Sequence, residues 1–61
     1  MHEVEDARKK ARLTVRELCD AIGISRSAYY RKIKGISDFT VRDIEGICKV
    51  LKVKPSIFFN H

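Results

Sequence analysis

A chain of 61 residues is one domain at most, because a chain this short buries only about 60% of the surface it exposes when unfolded; a two-domain enzyme is excluded. Thirteen Lys and Arg stand against eight Asp and Glu, a formal charge of +5, which favours a polyanionic partner. At 44% hydrophobic and 34% charged the sequence is too apolar for a disordered basic tail and too charged for a membrane span. Its longest apolar run, Ile57, Phe58, Phe59, falls far short of the roughly 18 residues a membrane helix needs. With two cysteines and no export signal, reduced thiols in a cytoplasmic setting are expected.

In chain order, Val4, Ala7 and Ala11 share one face, so residues 3–11 are expected to form a first helix with Glu3, Glu5 and Asp6 at its positive end. The next helix starts at Thr14. Its hydroxyl can cap the first turn while Glu17 reaches back, Leu13 staples against Leu18, and Val15, Leu18, Cys19 and Ile22 recur at i, i+3, i+4 and i+7. Gly23 permits a positive-φ turn, Ile24 plugs the interior and Ser25 restarts a helix running to about Lys34, with Gly35 as its left-handed stop. The capping grammar recurs at Phe39, Thr40, Asp43 and Ile44, and Val41, Ile44, Ile47, Cys48 and Leu51 line one face of a longer helix. Pro55 opens a last short turn carrying Ile57, Phe58 and Phe59. Nothing alternates with period two. The expected fold is all-α, a compact bundle of about five short helices containing a helix-turn-helix, residues 1–61 forming one domain.

Between Gly23 and Gly35 lie Arg26, Arg31, Lys32 and Lys34 and no acid, so four of the five net charges sit there. The third position of this helix is Ala28 rather than an acid, which leaves its positive end to a docking anion such as phosphate. Arg26 or Ser27 with Tyr30 and Arg31 make a stripe at i, i+3, i+4, opposite Tyr29 and Ile33, so a groove can face one stripe while the core faces the other.

Leu13-Thr14-Val15-Arg16-Glu17-Leu18-Cys19, Gly23-Ile24-Ser25-Arg26-Ser27, Gly35, Phe39-Thr40 and Ile47-Cys48-Lys49-Val50-Leu51 resemble the phage Cro and repressor helix-turn-helix family over nearly the whole chain. Two positions depart from that pattern: Val15 stands where glutamine is usual, and Lys32-Ile33 stand where a bulky apolar residue and then Glu is commoner. The resemblance implies a five-helix bundle, a prokaryotic or phage setting, and a short regulator that acts on double-stranded DNA through the helix after Gly23. It places Arg26, Ser27, Tyr30 and Arg31 against base edges. Arg31 is the best reader, since its planar fork matches guanine O6 and N7. Thr14, Arg16, Ser25, Lys32 and Lys34 are then expected on phosphates, with the loop from Ile36 to Asp38 beside them, and Arg8 within reach of a flanking phosphate. Ile57, Phe58 and Phe59 could lid the bundle, but three large apolar residues in the tail exceed what so short a turn buries, so a homodimer contact is assigned to them.

Other readings weigh less. Cys19 and Cys48 lie on apolar faces where the family pattern has alanine, so they are small filler rather than metal ligands. His2 and His61 stand at opposite termini, and neither a metal nor any other cofactor is expected. No nucleophile with a base, carboxylate pair or glycine-rich phosphate loop points to an enzyme or a small-molecule substrate. The expected function is a sequence-specific regulator, most simply a repressor dimer on a palindromic operator. The alternative is a protein-interaction module on the same bundle, antirepressor-like or antitoxin-like, against which the basic, apolar-poor outer face of the third helix argues.

Overall fold

The computed structural model describes residues 2–59 and contains four α-helices, α1 (His2–Lys10), α2 (Val15–Ile22), α3 (Arg26–Ile33) and α4 (Val41–Leu51), followed by a 3₁₀ turn at Pro55–Phe58. The helix count is therefore four where about five were expected. Among the described residues the chain from Pro55 makes a single 3₁₀ turn rather than a fifth α-helix.

α2, α3 and α4 each begin at a side-chain cap. Thr14 accepts from the Glu17 amide (3.0 Å) while the Glu17 carboxylate accepts from the Thr14 amide (2.9 Å). Thr40 and Asp43 repeat that box at 3.1 and 2.9 Å. The ends are as local. Gly23 (φ 75°) lets both its own amide and that of Ile24 donate to the Cys19 carbonyl at 2.8 and 3.1 Å. After α3, Gly35 (φ 80°) turns the chain so that the Gly35 amide meets the Lys32 carbonyl and the Ile36 amide the Arg31 carbonyl, which satisfies the orphan acceptors of the last turn. α1 stops at Lys10, one residue before the expected end, because Arg12 takes a left-handed conformation (φ 58°) and the Leu13 amide returns to the Arg8 carbonyl.

The core is Val4, Leu18, Cys19, Tyr29, Ile47, Leu51 and Phe58, one or two residues from every element. α2 packs on α4 and α3 on α2, while the 3₁₀ turn closes the bundle over α1 and α4. Phe58 seals that end, its ring edge-to-face on Phe39 at a centroid distance of 5.2 Å. The expected dimer contact is corrected here: Phe58 is buried and Ile57 half-buried against the core, and only Phe59 remains exposed. The turn packs Phe58 fully and Ile57 partly onto the bundle because the open end of the bundle lies directly under it.

Candidate nucleic-acid interface

α2, the three-residue joint Gly23-Ile24-Ser25 and α3 make a helix-turn-helix. Ile24 is half-buried and packs on the core, which fixes where Ser25 can restart the chain. Ser25 then caps α3, its hydroxyl accepting from the Ala28 amide at 3.1 Å.

α3 divides into two faces. Tyr29 is fully buried, and Ile33 packs on the core beside it. Arg26, Ser27, Tyr30, Arg31 and Lys34 are all exposed. The structure thus brings the four expected base-reading residues onto one solvent-facing surface. Among the described residues no ion pair engages Arg26, Arg31 or Lys34. Tyr30 rests edge-on against Tyr29 at 5.8 Å, with its ring still 45% exposed. No acid lies in the first turn of α3, in contrast to α2 and α4, where Glu17 and Asp43 occupy the positive end. The Thr14 amide holds the Glu17 carboxyl below the usual carboxylate range.

Thr14, Ser25 and Arg16 are exposed as well. The Thr14 and Ser25 hydroxyls accept from the first-turn amides of their helices, and each can still donate its own proton to an outside acceptor. Arg16 faces Asp20 at 3.9 Å with both side chains largely in water, a pairing too weak to remove the cation from a polyanion.

Two expected phosphate contacts do not belong to this surface. Lys32 turns inward, its ammonium donating to Asp43 with only 13% of the side chain exposed. Burial opposes ionisation of Asp43, yet the Lys32 ammonium and the Thr40 amide and hydroxyl outweigh it and hold the carboxyl below its usual range. Arg8 is likewise committed. It forks onto Glu5 at 2.9 and 3.0 Å and donates to the Leu13 carbonyl at 2.6 Å. The same Glu5 accepts from the Tyr29 hydroxyl. The Arg8 fork is the main reason that the Glu5 carboxyl falls to about 2, against the cost of its partial burial, while burial and then the Glu5 contact push the Tyr29 phenol up. These two polar links between helices escape a reading of local pattern. Glu5 and Arg8 are three residues apart on one helix, a spacing at which opposite charges meet, but neither Tyr29 nor Lys32 has a partner at such a spacing.

Among the described residues no group of three or more metal-ligating side chains gathers, and Cys19 is buried and Cys48 half-buried as free thiols. The expectation for His61 lies outside the described residues. Among the described residues no helix is long and apolar enough to cross a membrane.

A bundle whose second capped helix crosses the first at a glycine joint and presents unpaired cations defines a DNA-binding class of protein. The helix-turn-helix family model matches residues 4–58, and the chain belongs to that family, of the Cro and repressor type. It is a DNA-binding transcription regulator whose partner is double-stranded DNA. Comparison with curated proteins and with solved structures returns no significant match.

Proposed function

We propose that the chain is a repressor that acts as a homodimer on a palindromic operator, with α3 of each copy lying in the major groove. The observation that carries this reading is the outer face of α3, where Arg26 and Arg31 are exposed without an internal carboxylate and flank Ser27 and Tyr30. A bidentate guanidinium reads guanine, a hydroxyl reads less selectively, and an exposed aromatic ring meets a thymine methyl or a phosphate. Around that stripe, Thr14, Arg16, Ser25 and Lys34 set register through phosphates, which give affinity without sequence information. Lys32 has no part in this contact, since Asp43 occupies its ammonium.

One eight-residue α3 spans too few base pairs for a unique site in a genome, so specificity needs a second copy one helical turn along, about 34 Å away. Repression then follows from occupancy of promoter DNA. Phe59, exposed and bordering a surface groove with Lys34, Gly35, Ser37 and Phe39, supplies the two-fold contact, because it is the one residue of the apolar tail that the core leaves uncovered.

Selection of bound sequences from random duplex DNA tests the reading. Enrichment of a two-fold site with half-sites one turn apart, together with a promoter reporter that falls as protein rises, is expected. Failure to enrich any sequence, with binding that depends on salt alone, refutes it.

A further inference from the structure

The buried face of α3 carries two polar groups that the DNA contact does not use. Tyr29 donates its hydroxyl to Glu5 of α1, and Lys32 donates its ammonium to Asp43 of α4. Three residues apart on a helix, the two side chains leave the axis about 60° apart and about 4.5 Å along it, so they reach different neighbours from the two flanks of the inner face. Backbone packing does not supply these ties, for α3 lies closest on α2.

Both acceptors are themselves fixed. The Glu5 carboxylate is gripped through both oxygens by Arg8, which is anchored in turn on the Leu13 carbonyl. Asp43 Oδ2 also accepts from the Thr40 amide at 2.9 Å as part of the α4 cap. Each donor on α3 therefore ends on a carboxylate that another element holds in place. An apolar inner face alone is weakly directional, and it leaves a helix of eight residues free to roll by small angles. At about 6 Å from the axis, a roll of about 15° moves a side-chain tip by about 1.5 Å, more than a bidentate base contact tolerates.

We propose that Tyr29 and Lys32 are positioning residues, whose links to Glu5 and Asp43 fix the roll of α3 and so set how sharply its outer face discriminates between base pairs. This rests on the reading of α3 as the base reader. Phosphate contacts are long-range and tolerant of small rotations, so loss of either link blunts sequence discrimination while leaving non-specific affinity in place. A purely structural role behaves differently, because a larger unfolded fraction weakens specific and non-specific binding by the same factor.

The test compares Kd for the duplex enriched by selection with Kd for a scrambled duplex of equal length, at several salt concentrations, using the full chain. Tyr29→Phe removes one oxygen and leaves the Glu5 to Arg8 fork intact; Lys32→Met keeps the stem without the charge. Each is expected to lower the ratio of specific to non-specific affinity about tenfold with an unchanged salt slope. Lys32→Arg, which can still pair with Asp43, is expected to stay within about twofold of the unaltered chain. Ratios within twofold for both Tyr29→Phe and Lys32→Met, or equal weakening on both duplexes, overturn the positioning role. Failure of the unaltered chain to enrich any duplex overturns instead the assignment of α3 as reader, and the positioning with it, so the two failures are told apart by which protein shows them.

Discussion

Arg31 and Lys34 are exposed cations near the same end of α3, yet they should behave differently on DNA. Arg31→Ala is expected to cost about 1–3 kcal/mol and to relax preference at one base pair, because a planar fork is lost from a base edge. Lys34→Ala should weaken all sequences alike and make the salt slope shallower by about one unit. A quantitative binding assay over single-base operator variants separates them, and unchanged base preference in Arg31→Ala would show that another residue reads. Glu5 contributes to the pH dependence of the fold. Its carboxyl is lowered from 4.5 to about 2 in the native state, so its contribution is fully present above pH 4.5 and lost as pH falls from there toward 2. Asp43, lowered as well, adds in the same direction. Glu5→Gln should cost about 1.5–3 kcal/mol at neutral pH, and the gap to the unaltered chain should close as pH approaches 2. A constant gap across thermal melts from pH 7 to 2 would mean that the ionised fork contributes nothing.

At the scale of elements, α2 and α4 meet at Gly46, where an added Cβ would stand 3.1 Å from Ile22 Cγ2 and 3.4 Å from its Cβ. Ile22 is the last residue of α2 before the Gly23 turn, so pressure there falls on the helix-turn-helix joint itself. Gly46→Ala trades a gain in helix propensity of about 1 kcal/mol against a shift of Ile22 by a few tenths of an ångström. Gly46→Val adds bulk that such a shift cannot absorb and should cost about 1–3 kcal/mol, a fall in Tm of several degrees in a domain this small. A Gly46→Val protein as stable as the unaltered chain would show that α2 can move away freely. Gly46 was not legible in the sequence, since a glycine inside a helical pattern does not name the residue it lets approach. The caps and stops were legible because each is written within a few residues: Thr14 with Glu17, Ser25 with Ala28, Thr40 with Asp43, and the turns at Gly23 and Gly35. Tyr29 and Glu5 lie 24 positions apart, and Lys32 and Asp43 lie 11 apart. No periodicity connects such pairs. The pattern assigns Lys32 to the DNA side because it reads charge as exposure, whereas the Asp43 carboxylate in the α4 cap draws that lysine inward. Phe58 is misplaced for a related reason, as a short run shows its hydrophobicity but not the opening it closes.

The Cα trace extends 26 × 24 × 19 Å, and side chains add several ångströms at each surface, so one copy is about as wide as the separation of about 34 Å between successive half-sites on one face of the duplex. Two copies therefore fit side by side without overlap, and little surface can meet at the dyad. A contact of that size lies below the area of stable interfaces, so the dimer should be weak in free solution and completed on the operator, where the first copy raises the local concentration of the second. Phe59 is 69% exposed and borders the groove beside the end of α3, while Phe58 must be left alone because it seals the core. Phe59→Ser is expected to keep the fold and Tm of the unaltered chain and to bind a single half-site with nearly normal affinity. On the full operator it should lose the steep dependence on protein concentration and occupy the two half-sites independently. Sedimentation with operator duplex measures this directly: the unaltered chain should pass from free duplex to a 2:1 complex with little 1:1 species, whereas Phe59→Ser should accumulate the 1:1 species. A cooperative 2:1 complex formed by Phe59→Ser would remove Phe59 from the interface, and a strongly lowered Tm would place its ring in the core alongside Phe58.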